Sequence, residues 1–391
     1  MAKQEIMTLN VGPHHPSTHG VLRLIVELDG ERVLSITPDI GYLHRGIEKL
    51  SESKKFLQVL PLTDRMDYMS SGTNNLAYIL AVEKLLGIDV PPRARFIRTI
   101  MAEITRINSH LLGIGSAAGD CGAVSMLLYS LREREGCLDL FDETTGGRMM
   151  LTYYRPGGVA NDLLPGFEDR LKAFLDKFPK KLDEYDTLLK NNRIWLKRQV
   201  GIGYISREDA LSYGLTGPTA RGSGIDRDIR RDEPYEAYDE VQINVPVYTD
   251  CDAYSRWRVR MDEMRESVNI LRQLIARIPD GPYINHEAAK YVLPEKPRVK
   301  DSMEALIHHF KLVVEGLAPP KGEVYSSIEG PKGEIGFYIV SDGTPHPYRM
   351  RVRPSCFVNL QAIQKMGPGN MMSDVPAIIG SIDIVLGEID R

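Results

Sequence analysis

"RARFIRTIMAEITRINSHLLG", residues 93–113, is the stretch on which the fold turns. Ile97, Ile100, Met101, Ile104, Ile107 and Leu111 recur mostly three or four positions apart, which places them on one stripe of an α-helix. Glu103, Arg106 and His110 fall on another face. Pro91-Pro92 stops the preceding segment and lets this helix begin.

Outward from this helix the pattern stays helical over the middle of the chain. A further helical stretch is expected near residues 121–140. Pro165-Gly166 marks a turn. "FEDRLKAFLDKFPKKLDEYDTLLKNN" then reads as two amphipathic segments, broken or kinked at Pro179. Trp257, Met261, Met264, Val268, Leu271, Ile275 and Ile278 alternate by four and three, the narrow seam of a long helix packed in a bundle. Met303, Leu306, Ile307, Phe310 and Val314 form a shorter periodic run.

Both ends of the chain read differently. Residues 20–37 hold two apolar runs around Asp29-Gly30, a hairpin signal because both residues tolerate positive φ. "GEVYSSIEGPKGEIGFYIVSDG" and "PYRMRVRPSCFVNL", near the C-terminus, are β-like and punctuated by glycine or proline, with Arg349, Arg351 and Arg353 sharing one strand face. The expected fold is α+β: an N-terminal antiparallel sheet (residues 1–60), a central helical bundle (61–315) and a C-terminal β-rich closing segment (316–391).

Composition narrows the chemistry. Of 391 residues, 26% are charged and 42% hydrophobic, a folded chain, and the net charge of −4 gives no basic footprint for nucleic acid. Cys121, Cys137, Cys251 and Cys356 include no CxxC pair, so neither a zinc site nor an iron–sulfur cluster is expected on this chain alone. The sparse cysteines fit a reducing cytoplasm. "MAKQEIMTLN" shows no secretory signal, and no run of eighteen apolar residues offers a membrane span.

Three motifs hold candidate chemistry. "GPHHPSTHG" (12–20) spaces His15 and His19 four apart, but the nearby prolines argue against a helical metal pair. A packed polar turn, a proton-handling loop and a metal site all remain open there. "TDRMDYMSSG" (63–72) is either an ion-paired helix start capped by Ser70 or Ser71, or a place where the Tyr68 hydroxyl meets a carbonyl. "GDCGAVSM" (119–126) offers Asp120 as a helix cap or as a carboxylate that orients a histidine. The glycine stretches match no phosphate loop and no dinucleotide fingerprint. "GIDRDIRRDEP" (224–234) reads as a paired, solvated loop.

"VGPHHPSTHGVLRL", "GYLHRGIEK", "DRMDYMSSG", "MAEITRINSHLLG", "LREREGCLDLFDETTGGRMM", "KGEVYSSIEG", "YIVSDGTPHPYRMRVRPSCFVNLQ" and "IDIVLGEIDR" occur in this order. Together they resemble the 49-kDa subunit family of respiratory complex I, from about residue 8 to Arg391. That family is similar to the large subunit of nickel–iron hydrogenases, whose metal is held by two CxxC pairs. Here Val385 and Glu388 stand at the C-terminal thiolate positions, and the N-terminal pair is missing too, so the resemblance implies a hydrogenase-like scaffold without its metal.

The resemblance also implies an activity: a core subunit of a proton-translocating NADH–quinone oxidoreductase. A quinone headgroup, ubiquinone or menaquinone, would sit in the emptied metal cavity. His19 and Tyr68 match the family's headgroup residues, and Asp120 matches the carboxylate paired with the histidine. Arg45 and Arg65 match arginines near the terminal 4Fe–4S cluster, which a partner holds. Met150, in "GGRMM", stands where many relatives have a histidine, and a thioether cannot bind the redox-coupled proton, so a high, pH-dependent cluster potential is not expected.

No cofactor is implied for this chain alone, and NADH would be oxidised on other subunits. The partners implied are the iron–sulfur (B) subunit, the 30-kDa (C) subunit, the ferredoxin-like (I) subunit and the quinone-chamber membrane (H) subunit. The chain would lie peripherally on the cytoplasmic side of the inner membrane. Missing thiolates argue against a hydrogenase. The three headgroup residues argue against an inert scaffold. The choice of donor among NADH, ferredoxin and a deazaflavin rests on other chains.

Overall fold

The computed structural model describes residues 6–13, 20–288 and 290–391. The chain opens with β1 (Ile6–Val11), β2 (Arg23–Asp29) and β3 (Arg32–Asp39), an antiparallel sheet in that order. Asp29 pairs with Arg32, so the hairpin turn falls on Gly30-Glu31, one residue beyond the Asp-Gly signal. A bulge accounts for the spacing. Glu27 pairs with Ser35 but Leu28 with Val33, which leaves Leu34 as the extra residue. Val33 and Ile36, three apart, therefore both point inward with Leu24, Val26 and Leu28.

The main helices follow: α1 (Phe56–Thr63), α2 (Ser71–Leu86), α3 (Pro92–Asp120), α4 (Val124–Thr145), α5 (Phe167–Leu189), α6 (Ala253–Ile275) and α7 (Met303–Val314). α3 is the central pillar, packed along α2, α4 and α6. The apolar stripe seen in the sequence is buried, but so are Glu103, Arg106 and His110. A helix covered on all sides needs partners for its polar face, and α3 finds them.

Two local expectations are corrected. α5 runs unbroken through Pro179. Proline removes the N–H that would bond the Leu175 carbonyl; the Arg272 guanidinium of α6 donates to that carbonyl instead, at 3.1 Å. The 224–234 loop is only partly solvated, because Asp228 and Arg230 are buried and join the charges around α3. The periodic run of α7 does form a helix, yet Met303, Leu306, Ile307, Phe310, Val313 and Val314 face outward and only Leu312 is buried.

A second antiparallel sheet, β4 (Gly322–Gly330), β5 (Gly333–Ser341) and β6 (Arg349–Arg353), covers α2. Met350 and Val352 point inward between the three arginines. Beyond Arg353 the closing stretch, expected to be β-rich, is helical: α8 (Ser355–Gln361), α9 (Val375–Ile382) and α10 (Leu386–Asp390). Val375, Ile378, Ile379 and Ile382 share a second core with the inward face of the N-terminal sheet, beside the helical one, and α9 also packs on α3 and α6. Burial against that sheet lets this apolar segment coil as helix rather than extend a ladder.

Candidate functional site

The turn between α1 and α2 carries Tyr68. Each residue beside it is tied down. The backbone carbonyl of Asp67 accepts from Asn74 Nδ2 at 3.1 Å, and that of Met69 from Asn108 Nδ2 at 3.1 Å. Ser70 does precede α2, as its N-cap, but its hydroxyl donates to the Asp67 carboxylate rather than capping the helix. The chain crosses between cores here: Met66 lies in the helical core, and Tyr68 packs half-buried against the second.

Asp67 is paired with Lys332, whose Nζ lies 3.0 Å from Oδ2. Lys332 also donates to the Ser109 hydroxyl of α3 at 3.0 Å. This lysine sits at the tip of the β4–β5 hairpin, where solvent exposure is the norm, but it is 2% exposed. The tip is inserted into the body beside Thr216. A Cβ on Gly333, which holds φ +129°, would lie 2.9 Å from the Thr216 carbonyl carbon. Burial opposes the ammonium charge, but Asp67 more than restores it, so the Lys332 pKa is raised.

α10 closes the other side. Gly387 lies so close to the turn that a Cβ there would stand 2.5 Å from the Met66 carbonyl oxygen. Arg45 bridges both elements, donating to the Arg65 carbonyl at 2.7 Å and to the Gly387 carbonyl at 3.0 Å. Burial and the neighbouring Arg65 charge lower the Arg45 pKa. Burial, with the Asp67 charge, raises that of Tyr68, so its hydroxyl keeps its proton at neutral pH and can donate. Glu388 is buried and accepts from the Ser355 hydroxyl at 3.0 Å and the Cys356 N–H at 3.1 Å.

The structure thus brings together Tyr68, Arg45 and Arg65. Met150 lies close to this turn: the Ser71 hydroxyl donates to the Met149 carbonyl, and Thr152 donates to buried Asp64. His19 lies outside the described residues. Its neighbour Gly20 packs on Leu386, the first residue of α10, with a Cβ there only 3.1 Å from Leu386 Cδ1. Asp120 is the last residue of α3, not an N-cap. It lies 120 − 109 = 11 residues beyond Ser109, or about 16 Å along the axis and nearly on the same face. Gly113, between them on that face, meets the Asp383 carboxylate, 2.6 Å from where a Cβ would lie.

Sequence reasoning passed over Lys332, Ser109 and Asn108. The one available signal for Lys332 was the glycine on each side of "PK" in "EGPKGE", which marks a close approach.

Beside this corner runs a buried charge network. Glu263 of α6 lies 2.7 Å from His110 Nε2 and 2.6 Å from Arg221. Arg221 reaches Glu329 at 2.8 Å, and Arg230 joins Asp228 at 2.7 Å to Glu103 at 3.2 Å. Burial pushes the His110 pKa down despite Glu263. Burial alone would raise Glu263, but Arg221 and His110 hold it below the usual carboxylate range.

A cavity of about 680 Å³ is lined by Thr152, Tyr153, Arg155, Tyr283, Tyr291 and Val292. Among the described residues no group of three or more His, Cys, Asp or Glu could hold a metal ion, and no helix is long and apolar enough to cross a membrane.

Residues 120–391 match the family model of the respiratory-chain NADH dehydrogenase 49-kDa subunit. The chain is 56% identical over 391 residues, all of both chains, to the NADH-quinone oxidoreductase D subunit of Geotalea uraniireducens. It is 54% identical over 391 residues, again all of both chains, to the protein of the same name in Geobacter sulfurreducens. The corresponding protein of Citrifermentans bemidjiense is 55% identical over 387 residues, 99% of each chain.

Proposed function

This chain belongs to the 49-kDa subunit family of the respiratory-chain NADH dehydrogenase, and from that premise we propose that it forms the quinone headgroup site of a proton-translocating NADH–quinone oxidoreductase. The observation that carries the reading is the corner around Tyr68: a protonated hydroxyl beside the buried Lys332–Asp67 pair, with Arg45 and Arg65 on its other side. The fold is read as hydrogenase-like without the metal, and the division at residues 60 and 315 belongs to the same proposal.

Quinone reduction takes up two electrons and two protons. A 4Fe–4S cluster on the iron–sulfur (B) subunit would supply the electrons. Negative charge grows on the quinone oxygens as they arrive. The Tyr68 hydroxyl donates a hydrogen bond to one oxygen and is placed to pass its proton. The fixed Lys332 ammonium favours that charge without having to reorient. By the family resemblance His19 serves the other oxygen, with Asp120 as its orienting carboxylate. Gly20, the residue after His19, packs on Leu386 of α10. Arg45 and Arg65 supply positive charge toward the cluster.

The remaining partners are the 30-kDa (C), ferredoxin-like (I) and membrane (H) subunits. NADH is oxidised on other chains. The subunit sits peripherally on the cytoplasmic face of the inner membrane. Both ubiquinone and menaquinone fit the proposal.

Tyr68→Phe tests it, since the ring and its packing stay. Quinone turnover of the assembled complex should fall about 100-fold, the scale of losing one oxyanion donor. Electron transfer from NADH to an artificial acceptor upstream, and the iron–sulfur resonances, should not change. Wild-type quinone turnover would overturn the assignment of Tyr68.

A further inference from the structure

Three carboxylates lie on the two elements that meet at the Tyr68 corner, Asp67 on the turn itself and Glu388 and Asp390 on α10, and they are not equivalent. Asp67 has Lys332 at 3.0 Å. Asp390 accepts from the Gly41 and Leu43 backbone N–H groups at 2.8 and 2.7 Å, near the rim. Glu388 is 1% exposed, and among the described residues no lysine, arginine or histidine reaches it as a salt bridge. Among the described residues its donors are neutral: the Ser355 hydroxyl and the Cys356 N–H on Oε1, together with the Cys356 thiol.

An isolated ionised carboxylate in such a place is costly, and protonation relieves the cost. The charged groups facing it do not reverse this. Asp67, from the α1–α2 turn, repels a second negative charge; Lys332 attracts it, but its charge is already matched by Asp67. Cys356 of α8 faces it as a thiol, its own pKa raised by burial and by Glu388. Arg45 is engaged on the Gly387 carbonyl rather than on the carboxylate. Burial first, then Asp67, raises the Glu388 pKa.

We propose that Glu388 is held as a neutral carboxylic acid and is the proton reserve of the site, returning a proton to the Tyr68 oxygen after that oxygen has protonated the quinone. This inference rests on the reading of Tyr68 as headgroup donor. The step is a proton transfer without redox change: the Glu388 O–H bond breaks, the Tyr68 O–H bond re-forms, and the carboxylate left behind is steadied by the Ser355 hydroxyl and the Cys356 N–H until it is reprotonated. Acting through Tyr68, Glu388 is a positioning residue for the proton, not one that touches quinone.

The test is Glu388→Gln in the assembled complex, read by infrared difference spectroscopy and by turnover. The quinone-induced spectrum of the wild type should contain the C=O stretch of a neutral carboxyl group, and the glutamine variant should lack it. Quinone turnover should fall about tenfold, with NADH oxidation by an artificial acceptor unchanged. The neutral acid is lost as pH rises through its raised pKa, so wild-type turnover should drop on the alkaline side; the variant's slow rate should lack that limb. Glu388→Asp should recover part of the rate and shift the band, and it carries the same reading if the glutamine variant does not assemble. An unchanged carboxyl band, or wild-type turnover in the glutamine variant, overturns the proposal. If Tyr68→Phe cripples quinone turnover while Glu388→Gln does not, only this inference fails; if Tyr68→Phe is silent, the site reading itself falls.

Discussion

Glu103 is where the buried charges of α3 converge. Its two oxygens accept from Tyr238 and Ser267 at 2.6 Å each and meet Arg106 and Arg230 at 3.2 Å. Burial alone would raise its pKa, but Arg106 and Arg230 outweigh burial and bring it down to about 2. A depressed carboxylate stabilises the fold above its unfolded pKa, and the stabilisation is lost as pH falls through the folded value. Glu103→Gln leaves two buried guanidiniums short of a counter-charge, a loss of about 3–5 kcal/mol near pH 7. Hydrogen exchange of the α3 amides in the assembled complex should therefore quicken, and the gap from wild type should close as pH drops from about 4.5 toward 2. An equal gap at all pH values would contradict the ionic account. The sequence placed Glu103 on a helix face apart from the stripe, yet its partners come from residues 230, 238 and 267. Periodicity locates a face; it does not say what covers it.

At the scale of elements, helices and hairpins were legible because their signals are local. The seam expected over 257–278 is α6 as far as Ile275, with Ile278 beyond its end, and the Asp-Gly hairpin is in place apart from its one-residue shift. What escaped was long-range compensation, such as the Arg272 hydrogen bond that keeps α5 continuous at Pro179. One tight inter-element fit at the site is α10 against the Tyr68 turn. A Cβ on Gly387 would meet two backbone oxygens, Met66 at 2.5 Å and Arg65 at 3.0 Å. Backbone cannot swing aside as a side chain can, so Gly387→Ala should displace α10 at a cost of about 1–3 kcal/mol. Quinone turnover should drop while upstream electron entry persists. Gly122→Ala is the control: it adds the same methyl at a glycine with nothing within 4 Å of the new Cβ, though at φ +94°. Equal quinone turnover in the two variants would show that the close fit of α10 does not shape the site.

At the scale of the molecule, the site lies where two cores meet, the helical bundle on one side and the N-terminal sheet with the C-terminal helices on the other. That junction joins residues more than 300 positions apart, as in Arg45 to Gly387, and no local pattern could reveal it. The resemblance supplied Tyr68, Arg45 and Arg65, which the fold gathers; Lys332 emerged only from the fold, because a hairpin-tip lysine reads as solvated. The central claim is that quinone binds at this corner, and the most direct measurement is a structure of the assembled complex with a short-chain quinone bound. The account predicts a headgroup oxygen about 2.7 Å from the Tyr68 hydroxyl. A headgroup seated instead in the cavity between Tyr153, Tyr283 and Tyr291, away from Tyr68, would contradict it.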